Sequence, residues 1–369
     1  MWVSSLSASG FRNLEISNWE LSPGVNIIHG MNAQGKTSAL EAVYFCAFGR
    51  SLRAGSDKEL IEFKQQSAHV RVEIDRDGYN STLDAHIERN GTKSTKGLSI
   101  NRVPIKHMKD LFGRLLVVMF SPEDLKLVKS GPYERRRFMD MEICQLSPVY
   151  YSHLKEYHRA LKQRNALLKI LQKDKTQSFQ ESISIWDEQL ANCGQRIMKL
   201  RSAFVKKIDE IAREIHLNIT QGTEMLKLTY TPSISDIEKY LDNLVKVHAR
   251  DMGQATTTLG IHKDDISFTI NNISARYFGS QGQQRTAALS IKLAEIEIIK
   301  QSTKETPVLL LDDVLSELDG NRQNFLLRQI GDLQTLITCT GLEDILLTMK
   351  DHKIIKMVDG KIVRNTNSS

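Results

Sequence analysis

The residues best equipped for chemistry open with GMNAQGKTS, Gly30 to Ser38, which has G-x-x-x-x-G-K-T spacing. A loop of this type turns its backbone N–H groups inward around the β- and γ-phosphates of a nucleotide, at the positive end of the following helix. Gly30 and Gly35 are expected to let the backbone approach the phosphates without an intervening Cβ. Lys36 supplies a point charge, the Thr37 hydroxyl is placed to ligate Mg²⁺, and Met31, Asn32, Ala33, Gln34 and Ser38 complete the cradle. A second pair of groups, Asp312 and Asp313, follows four apolar residues in VLLLDDV. The first carboxylate suits Mg²⁺, usually through a water, and the second can polarise an attacking water. Lys36 and Asp313 are thus the candidate catalytic groups, with Thr37 and Asp312 as the metal ligands.

These groups need rigid elements to aim them. GVNIIHG, Gly24 to Gly30, reads as a short buried strand entering the loop. TSALEAVYFCAFG puts Leu40, Val43, Tyr44 and Ala47 on one helical face before Gly49 ends the helix. The run before Asp312 reads as a buried strand whose C-terminal end, as in open α/β sheets, faces the ligand. Along the chain, 1–120 is strand-rich, in WVSSLSAS, NLEISNWEL, HVRVEIDRDG, STLDAHIER and RLLVVMF. The stretch 121–223 reads as a helical insertion, with two long amphipathic segments of at most about 35 residues separated near Asp174 to Ser178. The remainder, 224–369, returns to strands and completes the interrupted sheet; only the final RNTNSS is expected to lack order. The fold class is α/β.

Composition narrows the partners. The chain has 369 residues, a net charge of +6 and a pI near 9.0, a mild pointer to a polyanion. No apolar run reaches the roughly 18 residues of a membrane span, and the N-terminus lacks the basic start and apolar core of a signal peptide. Cys46, Cys144, Cys193 and Cys339 show no C-x-x-C spacing, which points away from zinc and disulfides and toward a reducing cytoplasm. Residues 151–215 hold 13 Lys and Arg against 8 Asp and Glu. Just upstream, KLVKSGPYERRRF clusters Arg135, Arg136 and Arg137. Such runs read equally as solvated helix faces or as phosphate-backbone contacts.

Several stretches together resemble a known family. SQGQQRTAALSIKLAE, from Ser280, is similar to the signature motif of ABC-type ATPases in the form used by the RecF family of bacterial recombination and repair proteins. LLLDDVLSELDGNR resembles that family's Walker B motif and D-loop, and GFRNL, FSPEDLKLVKSGPYERRRFMD, the WDEQL around Trp186 and GIHKDDISF resemble further blocks in the family's order. The resemblance covers nearly the whole chain.

It implies an ABC-type ATPase head with mixed sheets and a helical second lobe forming a short arm. It also implies that ATP on one subunit's loop is capped in trans by the Ser280, Gln281, Gly282 and Gln283 of another, with Asp319 at the crossing D-loop. ATP and Mg²⁺ would then hold an ATP-dependent homodimer on duplex DNA or at ssDNA/dsDNA junctions. RecO and RecR would be partners, RecA an indirect one, and a cytoplasmic, nucleoid-associated location would follow, with no membrane.

Carried over by position, Arg12 resembles an arginine that reaches nucleotide, and Ser316 belongs to the D-loop. Thr338 stands where many ABC ATPases have a switch histidine. Asp313 replaces the usual Glu, which implies slow hydrolysis. Ser121 or Glu123 would have to substitute for the missing Mg²⁺-ligating Gln. GIHKDD carries Ile261 and Lys263 in place of Pro and Arg, so His262 receives no catalytic role. The other readings are a chromosome-organising DNA tether, which shares such heads but needs far longer coiled coils, and a soluble subunit of a membrane transporter.

Overall fold

The computed structural model describes residues 1–172, 177–331, 333–341 and 352–363. The terminal stretch expected to lack order lies outside them. The chain forms two compact units, one of residues 1–124 with 295–369 and one of residues 125–294.

The first unit is built on two six-stranded sheets. One is antiparallel, ordered Leu14–Glu20, Trp2–Phe11, Ser67–Arg76, Tyr79–Asn90, Lys93–Ile100 and Val103–Pro104. Buried and more open residues alternate along Ser67–Arg76, as expected of a strand with one face on a core. The other sheet is ordered Lys361–Val363, His352–Val358, Val25–His29, Thr335–Cys339, Val308–Asp312 and Val117–Phe120. Its last five strands run parallel. Val308–Asp312 and Thr335–Cys339 are buried at every position, the apolar pattern of parallel strands covered on both faces.

Helix Lys36–Phe48 touches strands of both sheets, which explains a departure from the sequence reading. Every residue from Ala39 to Phe48 is buried, so the helix has no solvent face opposite Leu40, Val43 and Ala47. Gly49 ends it in the left-handed region at φ +62°, donating its N–H to the Phe45 carbonyl. Strand Lys93–Ile100, sequence KSTKGLSI, was not foreseen, because it lacks an apolar alternation; pairing with Tyr79–Asn90 makes it a strand.

The second unit holds helices Pro132–Leu146, Pro148–Leu171 and Gln177–Ile219 and a three-stranded antiparallel sheet of Leu226–Thr231, Asp265–Ile270 and Ile273–Ser274. The expected inner boundary at 223 moves to 294, because Leu226–Thr231 packs along Gln177–Ile219 and pairs with Asp265–Ile270. The signature segment therefore belongs to the same unit as the helices. Gln177–Ile219 has 43 residues, longer than the expected 35 or so, and at 1.5 Å per residue spans about 65 Å.

Two buried ionic clusters tie this unit together. Arg164, fully buried, donates to Asp187 Oδ1 at 2.7 Å and Asp251 Oδ2 at 2.6 Å, both carboxylates also fully buried. Arg201 donates to Asp140, Asp264 and the Ile261 carbonyl, and Tyr230 adds a hydrogen bond to Asp264. These partners come from segments far apart in sequence, so removing one ion would leave another buried and uncompensated.

Candidate nucleotide-binding site

The nucleotide loop leaves the C-terminal end of Val25–His29 and enters helix Lys36–Phe48. Its two glycines are required for different reasons. Gly35 sits at φ +100°, where a side chain is strained, whereas a Cβ on Gly30 would stand 2.5 Å from the Met357 carbonyl oxygen of the neighbouring strand. The phosphate-approach argument for Gly30 thus yields to a close contact with the sheet.

Lys36 Nζ donates to the Gly30 and Met31 carbonyls at 2.6 and 2.9 Å, which curls the loop around its own charge. Thr37 Oγ1 donates to Asp312 Oδ1 at 2.6 Å. The Thr338 hydroxyl donates to the same oxygen at 3.0 Å and accepts the Asp313 N–H at 2.9 Å. Asp312 is buried with two hydroxyl partners, while its neighbour Asp313 is exposed. Asp313 takes φ +52°, the left-handed region that Asp tolerates better than most residues, and this turn aims the two adjacent carboxylates apart. Ser316 Oγ donates to the Asp313 carbonyl at 2.8 Å and lies 3.2 Å from its Oδ1.

These residues open onto one cavity of about 900 Å³, which Arg12, Asn13, the loop from Asn32 to Ser38, Phe63, Arg89, Asp312, Asp313 and Thr338 help to line. That volume accommodates a nucleotide. Thr37 and Asp312 supply a hydroxyl and a carboxylate at one point, the ligand set with which proteins hold Mg²⁺ alongside phosphate oxygens. Among the described residues no group of three or more His, Cys, Asp or Glu gathers as a metal site.

Several expectations are redirected. Arg12 lines the cavity, but its guanidinium holds Glu41 bidentately at 2.9 and 3.0 Å and donates to the Glu59 carbonyl. Ser51 also donates to Glu41 and accepts the N–H groups of Arg53 and Ala54. The cluster fixes the segment that carries Arg53 into the cavity. Neither Ser121 nor Glu123 lines it; the Ser121 N–H is held by Asp124. His262 is half-buried and held between the Tyr157 hydroxyl and the Thr257 carbonyl, a structural setting.

Sequence reasoning missed Asn13, which receives Ser38 Oγ and donates to the Ala33 carbonyl. It also missed the Asp359–Gly360 turn. The Asp359 N–H donates to Gln34 Oε1 at 2.6 Å and the Gly360 N–H to the Gln34 carbonyl at 3.0 Å. The GFRNL block contained the only local signal, for Asn13; the turn lies 325 residues from Gln34 and gave none.

In the second unit, Ser280 caps helix Gln281–Thr303 reciprocally: Gln283 N–H donates to Ser280 Oγ, and Ser280 N–H to Gln283 Oε1. The Ser280 oxygen is an acceptor here, so its own O–H stays available to a phosphate beside Gln281 and Gly282. Asp319, in the first unit, caps helix Gly320–Ile330 and pairs with Arg322. At least two of the three arginines in the run make internal hydrogen bonds. Arg135, 2% exposed, holds Asp265 bidentately and the Ser130 carbonyl, and Arg136 donates to the Asp264 carbonyl. Arg137 is only partly exposed. Three successive helical positions cannot share one face, and two of these point into the packing.

A phosphate loop, paired aspartates at a parallel-strand end and a helix capped by the signature segment define an ABC-type ATPase head with a helical second lobe. Residues 2–363 match the RecF/RecN/SMC N terminal domain family. The chain belongs to the RecF family of DNA replication and repair proteins. It is 45% identical to the DNA replication and repair protein RecF of Lachnospira eligens, over 98% of this chain and 99% of that one. It is 46% identical to the RecF of Lachnoclostridium phytofermentans, with the same coverage. Among solved structures, the recombination mediator protein RecF-ATP in the RecFOR pathway superposes with a TM-score of 0.91 at 34% identity, covering 98% of this chain and 97% of that one. The Smc head domain of Pyrococcus furiosus, at 16% identity, covers 98% of this chain and 96% of that one with a TM-score of 0.55, a likeness of fold alone. No helix among the described residues is long and apolar enough to cross a membrane.

Proposed function

We propose that this protein binds ATP with Mg²⁺ and, in that state, pairs with a second copy on duplex DNA and at ssDNA/dsDNA junctions during replication and recombinational repair. Hydrolysis to ADP and phosphate is slow and acts as a timer: it removes the phosphate that both copies hold, and the pair opens. In each composite site Lys36 and the loop hold the phosphates, Thr37 and Asp312 the metal, and Asp313 the attacking water. Ser280, Gln281, Gly282 and Gln283 of the other copy cap the γ-phosphate, with the dipole of their helix directed at it. RecO and RecR are the proposed partners, RecA the recombinase loaded through them, and the bacterial cytoplasm at the nucleoid the setting.

The observation that carries the reading is the Thr37–Asp312 contact, which joins residues 275 apart at one metal-binding point beside the loop. Sedimentation velocity without nucleotide, with ADP and with ATP and Mg²⁺ tests it, repeated for Lys36→Met and Ser280→Arg in the presence of labelled gapped duplex. A dimer formed only with ATP, lost in both variants and bound more tightly to the duplex, is the expected result. A monomer that binds ATP without associating overturns the shared-site reading.

A further inference from the structure

Helix Pro148–Leu171 carries five Lys or Arg and a single acid, Glu156. One of the five, Arg164, is consumed in the buried cluster with Asp187 and Asp251. The other four, Lys155, Arg159, Lys162 and Lys169, are all exposed. Their spacings of four, three and seven keep them on one face of a helix that turns about 100° per residue. The buried residues Tyr157, Ala160, Arg164, Leu168 and Leu171 occupy the opposite face. None of the four cations has a hydrogen-bond or ion-pair partner among the described residues. Glu156 lies to the side of the stripe, where its carboxylate accepts the Cys193 thiol of the neighbouring helix at 3.7 Å. That neighbour adds exposed Arg196, while its exposed Lys199 is paired with Glu238 at 3.5 Å.

Like charges three or four positions apart on a helix repel, and Glu156 is the one acid this helix carries against them. We propose that the stripe Lys155–Arg159–Lys162–Lys169 is a docking surface for the phosphate backbone of duplex DNA. From Lys155 to Lys169 it runs about 21 Å, the axial rise of roughly six base pairs at 3.4 Å each. Lys and Arg heads on flexible stems reach phosphates without reading bases, so the contact is independent of sequence. The charge balance favours a polyanion over an acidic peptide, because the stripe consists of four cations rather than of apolar anchors. The stripe thereby takes the place of Arg135 and Arg136, whose guanidinium groups are committed to Asp265 and to the Asp264 carbonyl. This inference rests on the proposed DNA-binding function and assigns it a surface.

The test uses the full-length protein with ATP and Mg²⁺ and a fluorescent duplex of about 30 base pairs, titrated between roughly 50 and 200 mM salt, the range over which phosphate contacts are most visible. The variant Lys155→Gln, Arg159→Gln, Lys162→Gln, Lys169→Gln is compared with the parent, and each single substitution is measured as well. Because each phosphate contact contributes about 0.9 to the slope of log K against log salt, the quadruple variant is expected to lose about three to four units of slope, and each single variant about one. Duplex affinity near 100 mM salt falls at least about 100-fold in the quadruple variant. Binding of a fluorescent ATP analogue and the circular dichroism spectrum stay unchanged, as befits exposed positions on a unit that does not carry the nucleotide loop. A parent that binds duplex and a quadruple variant with the same affinity and slope overturn the surface and leave the function standing. A parent that binds no duplex removes both. Vesicles containing phosphatidylserine and a 30-nucleotide single strand serve as competing anions, and a stripe-dependent preference for either over the duplex also overturns the proposal.

Discussion

At the residue scale, adjacency in sequence conceals two different environments. Asp312 is buried and held by the hydroxyls of Thr37 and Thr338, whereas Asp313, turned out by its positive φ, is free to face water. Asp313→Asn is expected to retain ATP binding and to lower turnover by at least about 100-fold, the lower range for loss of a general base. Parent turnover should itself be slow, since Asp holds water one methylene further back than Glu; steady-state rates of tens per second would contradict this.

His262 supplies a pH dependence. Burial, with smaller contributions from nearby Lys263, His158 and Arg136, pushes its imidazole from 6.5 down to about 4, against the opposing hydrogen bond to Thr257. The unfolded chain therefore takes up this proton first, and stability falls as pH drops from about 6.5 toward 4. At full extent the loss is about 3 kcal/mol. Urea midpoints at neutral and acidic pH should converge in His262→Gln, relative to the parent; an identical acid loss in both proteins would clear His262 of the effect.

At the element scale, the phosphate loop is braced by the hairpin of His352–Val358 and Lys361–Val363. The turn joining these strands donates two backbone N–H groups to Gln34 and accepts the Glu15 N–H through the Gly360 carbonyl. Gly360 is at φ +74°, and a Cβ there would stand 1.6 Å from the Asn13 carbonyl oxygen. Gly360→Ala must therefore shift the turn, at a cost of about 1–3 kcal/mol for strained backbone. Titration with a fluorescent ATP analogue should show affinity weakened about 10-fold if 1.4 kcal/mol of that cost reaches the bound state. Hydrogen exchange at 30–36 should quicken alongside it. Unchanged affinity would mean that the loop holds its shape without the hairpin.

At the scale of the whole molecule, the nucleotide loop and the signature segment belong to different compact units of one chain. The proposed capping in trans makes a specific demand on mixtures. Lys36→Met protein retains its signature segment, and Ser280→Arg protein retains its loop, so neither should dimerise alone while the two together build one complete site. Sedimentation of an equimolar mixture with ATP should recover a dimer; a mixture that stays monomeric, where the parent dimerises, would exclude reciprocal capping.

The residues Gly30–Ser38 and Asp312–Asp313 were legible because their chemistry depends on covalent spacing: a loop of fixed length before a helix, and two carboxylates after an apolar run. The strands Val25–His29 and Val308–Asp312 were legible for the same reason, since a parallel strand covered on both faces is apolar throughout. Tertiary structure alone decided where the long polar side chains find their partners. Arg135 and Arg136 looked like part of a surface run until Asp265 and the Asp264 carbonyl claimed them, and Arg12 was claimed by Glu41. Leu226–Thr231 joined the helices rather than the large sheet because its pairing partner is Asp265–Ile270, and Gly360 braced the loop from the far end of the chain. Local spacing fixes which groups can act; a hydrogen bond across hundreds of residues depends on packing that no local pattern encodes.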